Sequence, residues 1–215
     1  METIKKSIVL LFSASVLFLG GCAKNYNDIT IRQTRSFWMG SPVITVNVPY
    51  PEPLSFELSS ADWVPLKVRK NEKEGARVEL AEGEENSYVK LAIEGQTKSL
   101  FESLETDSGV DFSQSDSLVL TGLFDHYKTM TQAENSDKPI QYGETKFERQ
   151  DGDVFAWMVT TNNSYGVAYA VLKTKNGNYF TVEVNQKNRT TDIEKTLVDI
   201  VKSHKSGHIY KGKRF

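Results

Sequence analysis

The spacing of apolar positions changes along this chain, and each change marks an element. In "SPVITVNVPYPEPLSFELS", Ile44, Val46 and Val48 alternate with Val43, Thr45 and Asn47, the two-residue period of an extended strand. Pro49, Pro51 and Pro53 break it, and Leu54, Phe56 and Leu58 then alternate with Ser55 and Glu57 as a second short strand with one apolar face. "ARVEL" and "SYVKLAIEG" predict two further strands joined by a turn at "AEGEEN". The stretch 95–114 mixes "KSLFESLE" with "TDSGVDF" and reads as a short helix followed by a loop.

The period then lengthens. In "SDSLVLTGLFDHYKTMTQAE", Leu120, Leu123, Phe124, Tyr127 and Met130 keep helical spacing, with Ser115 placed to cap the first turn and Asp116 at the positive end of the dipole. Gly122 costs such a helix about 1 kcal/mol, so a close packing partner is expected there. After Pro139 the pattern becomes a meander of "IQYGETKFER", "DVFAWMVTTN", "YGVAYAVLKT" and "NYFTVEVNQ", rich in β-branched and aromatic residues. Asp151-Gly152 and Asn176-Gly177 are hairpin turns that need positive φ, and Asn162-Asn163-Ser164 separates the middle pair. Finally, Ile193, Leu197, Ile200 and Val201 form one stripe of a helix, with Thr191 and Glu194 at capping-box spacing. The chain reads as α+β: an antiparallel meander flanked by helices, the C-terminal helix burying its stripe on the sheet.

The first apolar run is of another kind. Lys5 and Lys6 precede "IVLLFSASVLFLGG", which is too short for the roughly 20 residues of a membrane-spanning helix and ends in small residues, as an export signal does. Leu19-Gly20-Gly21-Cys22 resembles a bacterial lipobox. That resemblance implies cleavage between Gly21 and Cys22 and acylation of Cys22, palmitate being a usual acyl group. Two or three acyl chains anchor a protein stably, each buried methylene contributing about 0.8 kcal/mol. Cys22 is the single cysteine, so the folded part would hold no disulfide, cysteine nucleophile or thiolate metal site. Ala23 follows where an aspartate would favour inner-membrane retention, so the periplasmic face of the outer membrane is the expected location. The organisation expected is a signal peptide at 1–21, a lipidated tether at 22–40, one α+β domain at 41–204 and a basic tail at 205–215.

Composition narrows the task without naming it. Removing 1–21 takes away Glu2, Lys5 and Lys6, leaving 24 basic and 27 acidic residues, a formal charge of −3 with both signs interspersed. A nucleic-acid binder would show a basic patch, so that class is set aside. With 11 Phe, 9 Tyr and 3 Trp the chain is globular.

The order of elements, and above all "AYAVLKTKNGNYFTVEV" with the helix "DIEKTLVDIVKS" behind it, resembles the PsbP/Mog superfamily, in particular DcrB-type envelope lipoproteins. The likeness covers 76–204, with "LSFELSSADW" as a first strand, and is one of pattern. It implies an α/β sandwich used for binding. The stretch 95–115 is longer and less regular than that pattern.

Chemistry is sparse. His126 stands beside Asp125 on the predicted helix, where sequence neighbours face different directions, so it reads as a boundary residue. His204 and His208 have the spacing of a helical metal pair, but Gly207 intervenes and they read as tail residues. Glu102, Glu105, Asp107, Asp111 and Asp116 form an acidic stretch without the register of a calcium loop. No Walker-type loop, G-x-G-x-x-G or G-x-S-x-G is present. "FWMG" at 37–40 and Trp63 are candidates for an interaction surface or for core. The expectation is therefore a membrane-anchored lipoprotein with a non-catalytic binding or accessory domain, a protein partner in the envelope, and neither cofactor nor metal. The competing classes are a small-ligand carrier, which needs a cavity between sheet and helices, and an envelope hydrolase, which needs a constellation that folding assembles from distant residues. Replacing Cys22→Ala is expected to abolish acyl labelling and release the protein from membranes, and the mature parent is expected to begin at Cys22 by mass spectrometry. Normal anchoring of that variant would overturn the lipobox reading.

Overall fold

The computed structural model describes residues 24–26, 29–34, 43–58, 63–71, 75–84, 87–134, 140–162, 165–188 and 191–206. The signal segment, Cys22, "FWMG" and the tail from 207, including His208, lie outside the described residues.

Two antiparallel sheets and a helical layer make up the domain. The smaller sheet has the order β1 (Lys24–Tyr26), β2 (Ile29–Thr34), β3 (Val43–Val48), β4 (Leu54–Leu58) and, at its far edge, β13 (Lys205–Ser206). The larger runs β5 (Val64–Asn71), β6 (Gly75–Glu84), β7 (Ser87–Gln96), β12 (Tyr179–Lys187), β11 (Tyr165–Lys173), β10 (Asp153–Thr161) and β8 (Gln141–Tyr142). On that last edge β9 (Lys146–Gln150) also pairs with the first half of β10. Between β7 and β8 the chain leaves the sheet as α1 (Lys98–Leu104), a 3-10 turn (Thr106–Ser108) and α2 (Asp116–Glu134). This excursion carries the helices across to the far edge, so that β12 returns beside β7. Helix α3 (Ile193–Lys202) follows β12.

The larger sheet is the middle layer. Along β10, Phe155 and Trp157 join a core with Val46, Phe56, Leu58 and the α3 stripe of Ile193, Leu197, Ile200 and Val201. The alternate residues Val154, Ala156 and Met158 join a second core with Phe101, Val119, Leu120, Leu123 and Phe124 of the helical layer. The unbroken apolar run "VFAWMV" follows from this, since a strand covered on both faces has no solvent side to keep polar. The meander forms with the expected antiparallel partners, and Asp151 (φ 53°), Gly152 (φ 90°) and Gly177 (φ 86°) take the positive φ foreseen for their turns.

Several expectations are corrected. The segment 22–40 is not merely a tether, because β2 pairs with β3 and β1 with β2, which extends the smaller sheet back to Lys24. β5 is a strand at the edge of the larger sheet; its Pro65 and the register shift between Pro65 and Lys67 obscure its alternation, leaving Val64 and Leu66 exposed. The turn expected over "AEGEEN" is mostly strand, since β6 runs through Glu84 and β7 resumes at Ser87. The cap of α3 is Asp192, whose side chain accepts from the Lys195 N–H at 2.9 Å. Glu194 instead accepts from Trp157 Nε1 at 3.0 Å and Lys146 Nζ at 2.6 Å, tying α3 to β9 and β10. Trp63 is core, at 6% exposure.

His204 is the largest correction. It is no tail residue but is buried past the end of α3, with Nε2 2.8 Å from Asp153 Oδ2 and Nδ1 2.6 Å from the Val201 carbonyl. Asp153 Oδ1 accepts the Lys175 N–H at 2.7 Å, so one carboxylate joins the start of β10, the β11–β12 turn and the C-terminal end of α3. Removing one member of a buried pair strands the other and typically costs about 3–5 kcal/mol. Asp153→Ala and His204→Ala are each expected to lose stability of about that size in urea unfolding, and the double variant much less than their sum. Additive losses would show that the pair is not coupled.

Candidate functional site

The helical layer does not fill the space it covers. A cavity of about 180 Å³ lies between α1, α2 and β11, lined by Phe101, Glu105, Leu123, Phe124, His126, Tyr127, Met130, Tyr169 and Val171. The sequence sets its geometry. Phe101 and Glu105 are one helical turn apart, so the buried face of α1 that seats Phe101 also aims Glu105 inward at the helix C-terminus. On α2, Leu123, Phe124, Tyr127 and Met130 belong to the predicted stripe, which buries Leu120, Leu123 and Phe124 and leaves Met130 48% exposed at the rim. Gly122 has the close partner its presence demanded: a Cβ there would meet Val110 Cγ2 at 3.1 Å.

The floor is aromatic. Tyr127 and Tyr169 stack with centroids 5.6 Å apart at 11°, and Phe124 meets Tyr169 edge-on at 5.8 Å. Phe101 stacks on Tyr179 at 4.1 Å. Tyr127 is also a wall of a second cavity, of about 170 Å³, with Ile140, Tyr142, Thr160 and Tyr165.

The acidic stretch does not converge on a single point. Asp111 closes a local turn on Ser113, whose side-chain and backbone hydrogen bonds hold its carboxyl below the usual range. Asp116 pairs with Lys173 Nζ at 2.7 Å, fixing the start of α2 on β11. Glu105 alone of the group lines the cavity. Burial lifts its carboxyl above the ordinary carboxylate range, and the nearby His126 opposes that shift only in part. The two groups make no hydrogen bond to each other, and among the described residues the Glu105 carboxylate has no hydrogen-bond or salt-bridge partner, His126 being its charged neighbour. The Tyr169 hydroxyl is pushed up first by burial, then by the charges of Glu105 and Glu183.

His126 is thus brought to a carboxylate distant in sequence, while its neighbour Asp125 turns away to Lys128 at 3.5 Å. Among the described residues no group of three or more His, Cys, Asp or Glu side chains could hold a metal ion, and no helix is long and apolar enough to cross a membrane. What the arrangement can do is seat one small group: 180 Å³ is close to the void that takes up a single benzene ring and below the 300–1,000 Å³ of drug-sized sites. Sequence reasoning grouped Glu105 with the acidic run; its four-residue spacing from Phe101 was the signal that could have singled it out.

No protein-family model matches the chain, and no curated protein matches it.

A carboxyl raised in the folded state lets the fold bind a proton that the unfolded chain has already released. Its contribution to stability is therefore greatest below the ordinary glutamate value near 4.3 and is lost as pH rises through the raised folded value. Glu105→Gln is expected to be more stable than the parent at neutral pH, with the gap closing as the solution is acidified toward about pH 4. A gap that is flat with pH would show that Glu105 is not strained by burial.

Proposed function

We propose that this chain is a lipid-anchored envelope lipoprotein whose domain is a non-catalytic binding module, and that the cavity beneath α2 is where it grips its target. The carrying observation is a cavity with an aromatic floor and a half-buried carboxylate lacking a partner, built where the fold could have closed over. Its volume suits one side chain or one small ligand, not a lipid chain, which favours recognition over bulk carriage. Anchorage through acylated Cys22, at the periplasmic face of the outer membrane, is supported by the lipobox residues Leu19 to Cys22. With β1 beginning at Lys24, an anchor at Cys22 would hold the smaller sheet close to the membrane face. Kinship with the PsbP/Mog superfamily belongs to the same proposal, supported by the β10–β12 meander leading into α3.

A photo-crosslinking residue at Met130, on the cavity rim, is expected to capture a target from intact cells, whereas one at Leu118, exposed on the same helix but not lining the cavity, does not. Filling the cavity with Val171→Phe is expected to abolish the Met130 product. Equal capture from both positions, or capture indifferent to the filled cavity, would sink the reading.

A further inference from the structure

Two carboxylates, Glu105 and Glu183, stand at or beside the cavity. Glu105 reaches it unpaired, and Glu183 stands directly across the strand pair from Tyr169. Glu183 accepts from Asn185 Nδ2 at 2.8 Å, whereas Glu94 on the same sheet is met by the guanidinium of Arg77 at 2.7 Å. Among the described residues that line the cavity there is no lysine or arginine, and His126 is the one side chain able to carry positive charge. The rings of Phe124, Tyr127 and Tyr169 line it, packed on one another in a stacked pair and an edge-on contact, and their π systems carry the negative quadrupole that favours a cation. An aromatic wall with a half-buried carboxylate beside it is the complement of a cation on an apolar body, and such contacts strengthen as water is excluded.

We propose that the cavity beneath α2 receives an organic cation, an ammonium group carried on an apolar body about one ring in size. This rests on the reading of the cavity as the binding site and adds the charge of what it binds. Glu105 supplies the counter-charge, and Tyr127 and Tyr169 supply the cation–π wall. Groups that would bring their own anion against Glu105 and Glu183 are excluded, whereas a cation that enters alone, with any anion of the same molecule left outside the rim, is not. Two sources carry this chemistry: a free amine in the periplasm, or the cationic headgroup of a lipid presented by the membrane that holds the anchor.

Choline and its uncharged isostere 3,3-dimethylbutan-1-ol separate the charge from the shape. Titrated by calorimetry into the full chain in detergent, choline is expected to bind at least tenfold more tightly than the alcohol. Glu105→Gln is expected to remove that preference, while Asp107→Asn, an exposed acid outside the cavity, keeps it. His126→Gln is expected to hold or strengthen choline binding. Choline and the alcohol binding equally, with Glu105→Gln without effect, would overturn the cation and leave the cavity as a site for apolar groups. Binding of neither, with Val171→Phe changing nothing, would remove both readings together. Phosphatidylcholine vesicles that compete with choline, where phosphatidylglycerol vesicles do not, identify the headgroup as the source. Competition by neither kind of vesicle identifies a free amine, and competition by phosphatidylglycerol as strong as by phosphatidylcholine would count against cation recognition.

Discussion

Everything in this domain follows from β10 and most of β11 being apolar on both faces. A sheet can keep one face wet only if alternate residues are polar, and "VFAWMV" in β10 leaves no such choice. Two covers are needed, and the chain draws one from both of its ends and the other from its middle. The smaller sheet and α3 close over Phe155, Leu172 and Phe180, and the α1–α2 excursion closes over Val154, Met158 and Val171. The second cover is narrower than the sheet. Beyond it the same face turns polar, with Arg77 bridging Glu79 and Glu94 and with Glu183 bonded to Asn185. The cavity lies on that boundary, which is why its aromatic floor adjoins carboxylates.

Packing alone does not fix how the covers sit; a small number of polar contacts, one of them fully buried, do. Asp153 and His204 lock the end of α3 to the start of β10. Glu52, in the loop between β3 and β4, accepts from Thr174, Asn176 and Asn178, the last at 3.2 Å, and so clamps the smaller sheet on the β11–β12 turn. The fit there is tight enough that a Cβ at Gly95 would come within 2.5 Å of the Tyr50 carbonyl. Lys173 and Asp116 do the same for α2. Each contact joins residues far apart in the chain, and each satisfies groups that would be costly to bury alone.

This explains which parts were legible beforehand. Local rules are written in short windows: the Asp151-Gly152 and Asn176-Gly177 turns, the stripe of Ile193, Leu197, Ile200 and Val201, and the alternation of Leu54, Phe56 and Leu58 all form as their spacing dictates. Non-local pairing has no such window. β2 looks like polar linker until β3 supplies its partner, β5 hides its alternation behind Pro65, and His204 looks like tail until Asp153 receives it. The cavity is the extreme case, because Glu105 and Tyr169 share it without any sequence relation at all. Only the chain from Phe101 to Glu105 carried a hint of it.

An unfilled space in a core is normally selected against. At about 24 cal/mol per Å³, a sealed void of 180 Å³ would cost about 4 kcal/mol, a large share of a domain's 5–15 kcal/mol of stability. This one opens toward the Met130 rim, so water relieves part of that cost, but water cannot relieve an apolar wall as a well-fitted side chain would. A larger residue at Val171 could occupy the space, and a neutral residue at Glu105 would end the burial of its charge. The sequence does neither at two positions that meet in one place. Two independent local costs, an unfilled volume and a half-buried charge, fall on the same small cavity, and the proposed binding role rests on that coincidence.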